Sequence, residues 1–155
     1  MLRKLKSLGA QTEELLDIYR QQVISILQLA VPVWTPGLTK TEVGQIERVQ
    51  KVAMHIIMGE NFQDYRTSLK TLKLKTLAER REDICEKFAK KSYLNPNFKH
   101  WFENSDRRGR IQTRQEKSIL KPVFTRTARY ENSPLPYLTK LLNKCKWTEE
   151  EKIFM

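Results

Sequence analysis

The sequence predicts an all-α fold: a small helical bundle, followed by a basic, poorly ordered tail with a short C-terminal helix. In several segments, apolar residues recur every three or four positions, as they do on one face of a helix. Capping-box patterns, in which a Thr is followed three residues later by a Glu, stand where two of these segments begin. No segment alternates polar and apolar residues for long enough to predict a strand.

The first helix is predicted over residues 12–31. Thr12 is suited to cap it, and the two glutamates that follow suit the positive N-terminal end of the helix dipole. Pro32 ends the helix, because a proline in a helix interior removes a hydrogen bond and clashes with the preceding turn. Between Val23 and Val33 the segment is apolar on nearly every side, which is more than one bundle seam requires. We therefore expect an uncovered apolar face here.

Three further helices follow in the sequence pattern. A capping box at 39–42 begins the first of them, and Gly59 ends it. A short helix is predicted over residues 65–72, and a capping box at 76–79 begins a helix that continues to about Tyr93. The bundle built from residues 12–93 is predicted to bury the following side chains: Leu16, Val23, Leu27, Trp34, Ile46, Val49, Ala53, Ile57, Leu72, Leu77, Ile84 and Phe88.

The pattern changes after the helical domain, which is predicted over residues 1–103. Residues 104–132 are predicted to be a basic linker, since residues 105–129 carry eight Lys and Arg against two acidic residues and few apolar ones. Residues 133–155 are predicted to form a short C-terminal helical segment, with a helix that begins at its first proline.

The positive charge is unevenly distributed. The formal net charge is +11, and residues 61–155 carry 22 basic against 12 acidic residues, a net charge of +10. Such an excess is the electrostatic mark of a polyanionic partner, with nucleic acid as the first candidate and an anionic membrane surface as the second. Basic surfaces are also common on proteins that bind neither.

Cellular location and membrane association follow from cysteine usage and hydropathy. Cys85 and Cys145 allow at most one disulfide, and so small a count suggests a reducing compartment. The longest apolar stretch is far shorter than the roughly 20 residues of a membrane span. The basic start of the chain meets glutamates before any apolar region, unlike a signal peptide. We expect a cytoplasmic or nuclear protein with no membrane partner.

Residues that could carry catalysis are scattered. Metal-dependent phosphoryl transfer needs two or three converging carboxylates, and no two aspartates are adjacent. Cys85 falls on the apolar side of its predicted helix and is expected in the core. His55 borders two isoleucines and is expected to be a partly buried core histidine. We therefore expect no catalytic residues, no metal site and no cofactor.

Two groups of basic residues are candidates for contacting nucleic acid. The first lies on predicted helix exteriors: Arg48, Lys51, Arg80, Arg81 and Lys87. The second lies in the basic linker: Arg107, Arg108, Arg110, Arg114, Arg126 and Arg129. Each residue fits a plain solvated charge as well as a phosphate contact. Trp34 fits a core anchor better than a base-stacking platform.

Three motifs then follow one another along the chain. The first runs from Tyr19 to Trp34 and ends in Ala-Val-Pro-Val-Trp, and the second covers 46–59 and ends in Ile-Ile-Met-Gly. The third, over 72–81, reads Leu-Lys-Leu-Lys-Thr-Leu-Ala-Glu-Arg-Arg. This order resembles the region after the catalytic palm in reverse transcriptases of non-LTR (LINE-like, jockey-type) retrotransposons. The resemblance extends from about Leu2 to Asn143, nearly the whole chain.

The resemblance implies a thumb-like C-terminal region of an RNA-directed DNA polymerase, encoded by a transposable element, without the palm and its catalytic residues. Its implied partner is RNA–DNA or RNA duplex, bound weakly through the backbone and without sequence preference. A palm domain or a second copy is the implied partner of the apolar face. Two other interpretations stay open: a host-used small basic RNA- or DNA-binding protein, and a protein-interaction module that uses the palm-facing patch.

Overall fold

The structure is a computed structural model, and it describes residues 1–102, 120–145 and 147. Within these residues the regular elements are helices and none is a strand, which confirms the all-α prediction. Among the same residues, no helix is both long and apolar enough to cross a membrane. The helices are α1 (Leu2–Ser7), α2 (Thr12–Ile18), a π-helix (Tyr19–Ile24), α3 (Ser25–Leu27), α4 (Val31–Trp34), α5 (Lys40–Met58), α6 (Tyr65–Thr71), α7 (Leu77–Leu94), α8 (Ala128–Glu131) and α9 (Pro134–Lys144), with 3-10 turns at Thr35–Gly37, Gly59–Asn61 and Lys99–Trp101.

The chain forms two compact units. The first unit comprises Met1–Val31 and Leu38–Glu82, and the second comprises Pro32–Gly37 and Asp83–Met155. The predicted boundary between residues 103 and 104 lies outside the described residues, as does a third Thr-to-Glu capping-box pattern at 148–151 of the sequence. The division into a helical domain, a basic linker and a C-terminal segment therefore stays a prediction.

The first unit has its own apolar core, contributed by α1, α2, the π-helix and α5. Full burial of a side chain the size of Leu or Ile stabilises a fold by about 1.5–3 kcal/mol, so this cluster is the unit's main source of stability. It consists of Leu2, Leu15, Leu16, Tyr19, Ile24, Ala53, Met54 and Ile57.

The second unit has a separate core made by α7, α9 and the segments that flank them. It consists of Ala89, Tyr93, Phe102, Leu120, Leu138 and Leu142. Leu120 belongs to the predicted linker, yet it is buried, and its backbone is paired with a side chain of α9. Its N–H donates to Asn143 Oδ1 at 2.9 Å, and Asn143 Nδ2 donates to its carbonyl at 3.1 Å. Local sequence does not indicate this pairing, because the two residues lie 23 positions apart.

Both ends of α5 are held by specific hydrogen bonds. The predicted capping box is confirmed: the Thr39 N–H donates to Glu42 Oε2 at 2.8 Å, and the Glu42 N–H donates to Thr39 Oγ1 at 3.3 Å. At the C-terminus, Lys6 Nζ donates to the carbonyls of Ile56 and Ile57, where a cation also suits the helix dipole. The helix ends at Gly59, as predicted, with φ +57°.

The predicted helix over 12–31 begins at Thr12, as predicted, but its N-cap and its C-terminal end differ from the prediction. Gln11, not Thr12, is the N-cap, and the helical run stops at Leu27. Ala30 has a φ of +52°, which breaks the helix without a glycine. Pro32, predicted to end a helix, instead lies in the first turn of α4, where a proline removes no intrahelical hydrogen bond. The other predicted starts, at α6, α7 and α9, are confirmed to within a residue or two.

The predicted core is correct in part. Leu16, Ala53, Ile57 and Leu77 are buried, and so is Cys85. The partly buried members are Val23, Leu27, Trp34, Ile46, Leu72 and Ile84.

Three predictions of burial are wrong. Val49 is 43% exposed, Phe88 is 41% exposed, and His55 is exposed rather than partly buried. On α5 the predicted Ala53 and Ile57 are buried together with Met54, and Gln50 rather than the adjacent Val49 completes the inward face. On α7, Phe88 is likewise one residue, or about 100°, away from the buried Ala89.

Candidate nucleic-acid interface

A buried polar side chain on α5 sets the geometry of the first unit. Gln50 is fully buried, and its Nε2 donates to the carbonyl of Lys75 at 3.1 Å. Its Oε1 accepts from the N–H of Leu77 at 3.1 Å, so the amide holds the turn before α7 against α5. A buried amide is tolerated only when its polar atoms are paired, and here both are. These two hydrogen bonds, called here the Gln50 clamp, hold the Gln50 side of α5 inward and so determine which side of the helix faces outward.

Tyr65 continues this polar cluster. Its hydroxyl lies 2.5 Å from Glu47 Oε1 and 2.7 Å from Gln50 Oε1, and one O–H can donate to only one of them. We assign the bond to Glu47, because a charged acceptor gives the shorter and stronger bond. Burial, and next the Glu47 carboxylate, raise the pKa of Tyr65 above its ordinary value. The same two causes raise the pKa of the buried Tyr19 to about 12.

On the outer side of α5 lies a groove of about 510 Å³. The imidazole of His55 stacks on the ring of Phe62, with ring centroids 5.0 Å apart and planes 6° from parallel. Arg48 and Lys51, both exposed, stand one helical turn apart on the same wall. The groove thus combines two cations with a planar aromatic pair. It is lined by Gly44, Glu47, Arg48, Lys51, Val52, His55, Phe62 and Tyr65.

The two predicted arginines of α7 are not solvated exterior charges. With the Gln28 amide turned to satisfy its neighbours, its oxygen accepts from Arg80 Nε at 2.8 Å and from Arg80 Nη2 at 2.9 Å. Arg81, predicted on the helix exterior, is only 6% exposed, so that prediction of its location is wrong. It shares the face of α7 whose buried positions recur every four residues from Leu77. A guanidinium buried in this way is unavailable to a phosphate at the surface.

The remaining candidates fall in the second unit or outside the described residues. Lys87 is exposed and lines a second groove, of about 640 Å³, at the end of α7. Arg126 precedes α8 and Arg129 lies in it, and both are exposed. The other four linker residues lie outside the described part of the chain: Arg107, Arg108, Arg110 and Arg114. Within the first unit, the structure brings Arg48 and Lys51 together on one wall of the groove.

Sequence reasoning missed the aromatic residues near these cations. The stack of His55 on Phe62 joins a helix to the loop after it, and no periodicity connects the two positions. A second aromatic group, Phe98 to Trp101, does carry a local signal. Aromatic and basic residues alternate there directly after a lysine-rich helix end, a pattern typical of nucleic-acid contacts.

Among the residues that the structure describes, no group of three His, Cys, Asp or Glu side chains is arranged to hold a metal ion. Comparison of the chain with protein-family models, with curated proteins and with solved structures gave no match.

Proposed function

We propose that the chain is a non-catalytic, thumb-like region of a non-LTR retrotransposon RNA-directed DNA polymerase that contacts the backbone of template–primer nucleic acid. The three ordered motifs between Tyr19 and Arg81 suggest the family. The observation that carries the contact is the exposed pair Arg48 and Lys51 at the groove on α5.

The pair is well placed for a phosphate strand. Side chains three residues apart on a helix have Cβ atoms about 5–6 Å apart, so the two cations project side by side. α5 is held at both ends, by the Thr39–Glu42 capping box and by Lys6, and in its middle by Gln50. A rigid support means that little order has to be imposed on binding. Contacts of this kind read charge and shape rather than base sequence.

A charge-matched pair of variants tests this proposal. Arg48→Ala/Lys51→Ala should weaken binding of an RNA–DNA duplex, measured by fluorescence anisotropy over a salt series. The slope of log K against log salt should fall by about 1.8, since each phosphate contact contributes about 0.9. Arg66→Ala/Lys70→Ala removes the same charge from exposed positions on α6 and should leave the slope nearly unchanged. Equal losses in both variants would show a diffuse charge effect and contradict the proposed site.

We also propose that this chain performs no polymerisation or nuclease reaction by itself. The aspartates are scattered along the sequence, at positions 17, 64, 83 and 106, and none stands in a Tyr-x-Asp-Asp context. Primer extension with Mg²⁺ or Mn²⁺ should give no product, and EDTA-sensitive incorporation by pure protein would refute this. The family origin is tested by reading the DNA upstream of the Met1 codon. If the proposal is correct, that DNA encodes a palm domain with a Tyr-x-Asp-Asp motif.

A second candidate function, a protein-interaction module, is favoured by one specific observation. Ile26 and Leu29 of the first unit are 71% and 75% exposed, although both belong to the segment that resembles the palm-adjacent helix. Adjacent exposed aliphatic side chains suit a partner surface, a palm or a second copy. Ile26→Ser/Leu29→Ser should abolish concentration-dependent self-association in sedimentation velocity. Leu8→Ser, at an 83% exposed leucine of the same unit, is the control.

The third candidate, a host-used basic RNA- or DNA-binding protein, makes a different prediction. Its binding would show a clear preference among duplexes of different sequence at fixed salt concentration, whereas backbone contacts would not.

A further inference from the structure

The second unit exposes an unusual group of aromatic rings in the turn that follows α7. Phe98 is 39% exposed and Trp101 is 42% exposed, and their ring centroids lie 4.8 Å apart. His100, also exposed, packs edge-on against Trp101 at 6.2 Å. Large aromatic side chains usually contribute their area to a core, so clustered exposed rings indicate a binding surface.

The backbone holds these rings outward in a defined turn. The carbonyl of Asn95 accepts from the N–H groups of Phe98 at 3.0 Å and Lys99 at 2.9 Å. The N–H of Trp101 donates to the carbonyl of Phe98 at 3.0 Å. Phe102, the next residue, is the one that enters the core, where it meets Tyr93 edge-on. Phe102 thus fixes the end of the turn in the core, and the hydrogen bonds of the turn keep Phe98 and Trp101 exposed.

Lysines occupy the last turns of α7, directly before the aromatic turn in sequence. The groove of about 640 Å³ at the end of α7 is lined by Lys87, Lys90, Lys91, Leu94, Asn95 and Pro96, and the aromatic turn begins two residues later. Lys90 is engaged with Glu86 at 3.4 Å and lies over the ring of Trp147. Lys87 and Lys91 are exposed. Two exposed lysines on the last turns of α7 and two exposed aromatic side chains in the turn that follows match a ligand that carries both anionic and planar groups.

We propose that Phe98 and Trp101, with Lys87 and Lys91, form a binding site for single-stranded nucleic acid. Unpaired bases stack on the two rings, and neighbouring phosphates contact the two lysines. The bases of a duplex are stacked on one another, and their faces are closed to side chains, so this site selects unpaired strands. Base stacking is tolerant of sequence because every base has a ring face. The site shares no residue with the Arg48 and Lys51 pair and does not rest on the proposed duplex contact.

The test uses the full chain and a 12-nucleotide oligo(dT), with tryptophan fluorescence as the readout. Stacking on Trp101 should quench emission in the wild type, and Trp101→Phe should lose most of the quenching while retaining affinity. Phe98→Ala and Trp101→Ala should each weaken binding about 10-fold, as measured by anisotropy of labelled oligonucleotide. Phe124→Ala, at an 83% exposed phenylalanine of the same unit, should bind like the wild type. Circular dichroism confirms that each variant keeps its helices.

Charge variants distinguish direct phosphate contacts of Lys87 and Lys91 from the general attraction of a positively charged protein for nucleic acid. Lys87→Gln/Lys91→Gln should reduce the salt slope by about 1.4, since each contact to a single strand contributes about 0.7. The matched control, Lys140→Gln/Lys144→Gln, removes two exposed cations of α9 and should change the slope little. Arg48→Ala/Lys51→Ala should leave oligo(dT) quenching intact even if it abolishes duplex binding.

The inference is overturned by any of three results. The first is the absence of oligo(dT) binding at low salt. The second is equal affinity for oligo(dT) and a blunt duplex, together with unchanged binding by Phe98→Ala. The third is binding to vesicles of phosphatidylserine and phosphatidylcholine that depends on Trp101 when oligo(dT) binding does not, which would assign the rings to a membrane surface.

Discussion

Gln50 shows how one buried side chain can organise a unit. Its amide is fully buried and pairs with the backbone of Lys75 and Leu77, residues 25 and 27 positions away in sequence. These bonds add modest net stability while they are made, but each group left unpaired costs about 1–3 kcal/mol. Removal of the Gln50 amide should therefore lower the free energy of unfolding by more than the net stability that its hydrogen bonds contribute.

Gln50→Leu keeps much of the side-chain volume and removes the clamp. The carbonyl of Lys75 and the N–H of Leu77 then lose their partner, and the free energy of unfolding should fall by about 2–4 kcal/mol. Urea denaturation followed by circular dichroism measures this change. Gln45→Leu, at an exposed position of the same helix, should stay within about 0.5 kcal/mol of the wild type. Equal effects at the two positions would mean that the clamp contributes little.

Two glycines of the first unit should respond in opposite directions to the same methyl group. Gly59 has φ +57° and ψ −121°, where side chains are strained, and an added Cβ would meet Lys6 Nζ. Gly59→Ala should lower the free energy of unfolding by about 1–3 kcal/mol. Gly44 lies inside α5, and nothing stands within 4 Å of an added Cβ. Gly44→Ala should raise the free energy of unfolding by about 0.5–1 kcal/mol. Thermal denaturation of both variants checks the signs.

Tyr19 predicts a stability loss at high pH. Its pKa is raised from 10.0 to about 12 in the folded state, chiefly by burial. The unfolded chain loses the Tyr19 proton at a lower pH than the folded chain does. The contribution of Tyr19 to the free energy of unfolding is therefore fully present below pH 10 and is lost as pH rises towards 12. Tyr19→Phe should therefore flatten the fall in the free energy of unfolding between these pH values. Tyr130→Phe, at an exposed tyrosine, should keep the wild-type slope.

At the scale of the element, α5 has one inward face and one functional face. Ala53, Met54 and Ile57 turn inward with Gln50, and Arg48, Lys51 and His55 line the groove. This division follows from a period of 3.6 residues per turn, which puts positions 50, 53, 54 and 57 on one side. The rotation of α5 about its own axis therefore places one set of side chains in the core and the other set at the groove.

A pair of truncations on α5 measures that orientation. Ile57 is 1% exposed, and Ile57→Ala should lower the free energy of unfolding by about 2–5 kcal/mol because it leaves a cavity. Val49→Ala, at a side chain that is 43% exposed, should cost less than about 1 kcal/mol. Urea midpoints at constant m-value report both. A larger loss at Val49 than at Ile57 would mean that the helix is turned by one residue.

At the scale of the whole molecule, charge is the property most relevant to a polyanionic partner. The net charge of +11 arises almost entirely after residue 60. Replacement of Arg107, Arg108, Arg110 and Arg114 by Ser should lower the salt slope of duplex binding by up to about 3.6. Helicity should be unchanged in circular dichroism, and so should binding of the Arg48 and Lys51 pair at low salt. Duplex affinity that is insensitive to all four replacements would exclude this stretch from the interface.

The sequence by itself determined the features that depend on neighbours in the chain. The Thr39–Glu42 and Thr76–Glu79 capping boxes formed because each set of partners is three residues apart, and so the helices begin where predicted. Net charge and helix content likewise follow from composition and periodicity.

Tertiary structure alone decided which residues complete the inward faces that periodicity indicates in part. A polar residue, Gln50, occupies a core position that the pattern assigns to Val49, since its partners come from the distant turn before α7. Arg81 is buried, and Leu120 pairs with Asn143 across 23 residues of sequence. Contacts between distant segments leave no periodic trace in the sequence, because the burial of a residue depends on what the rest of the chain places opposite it.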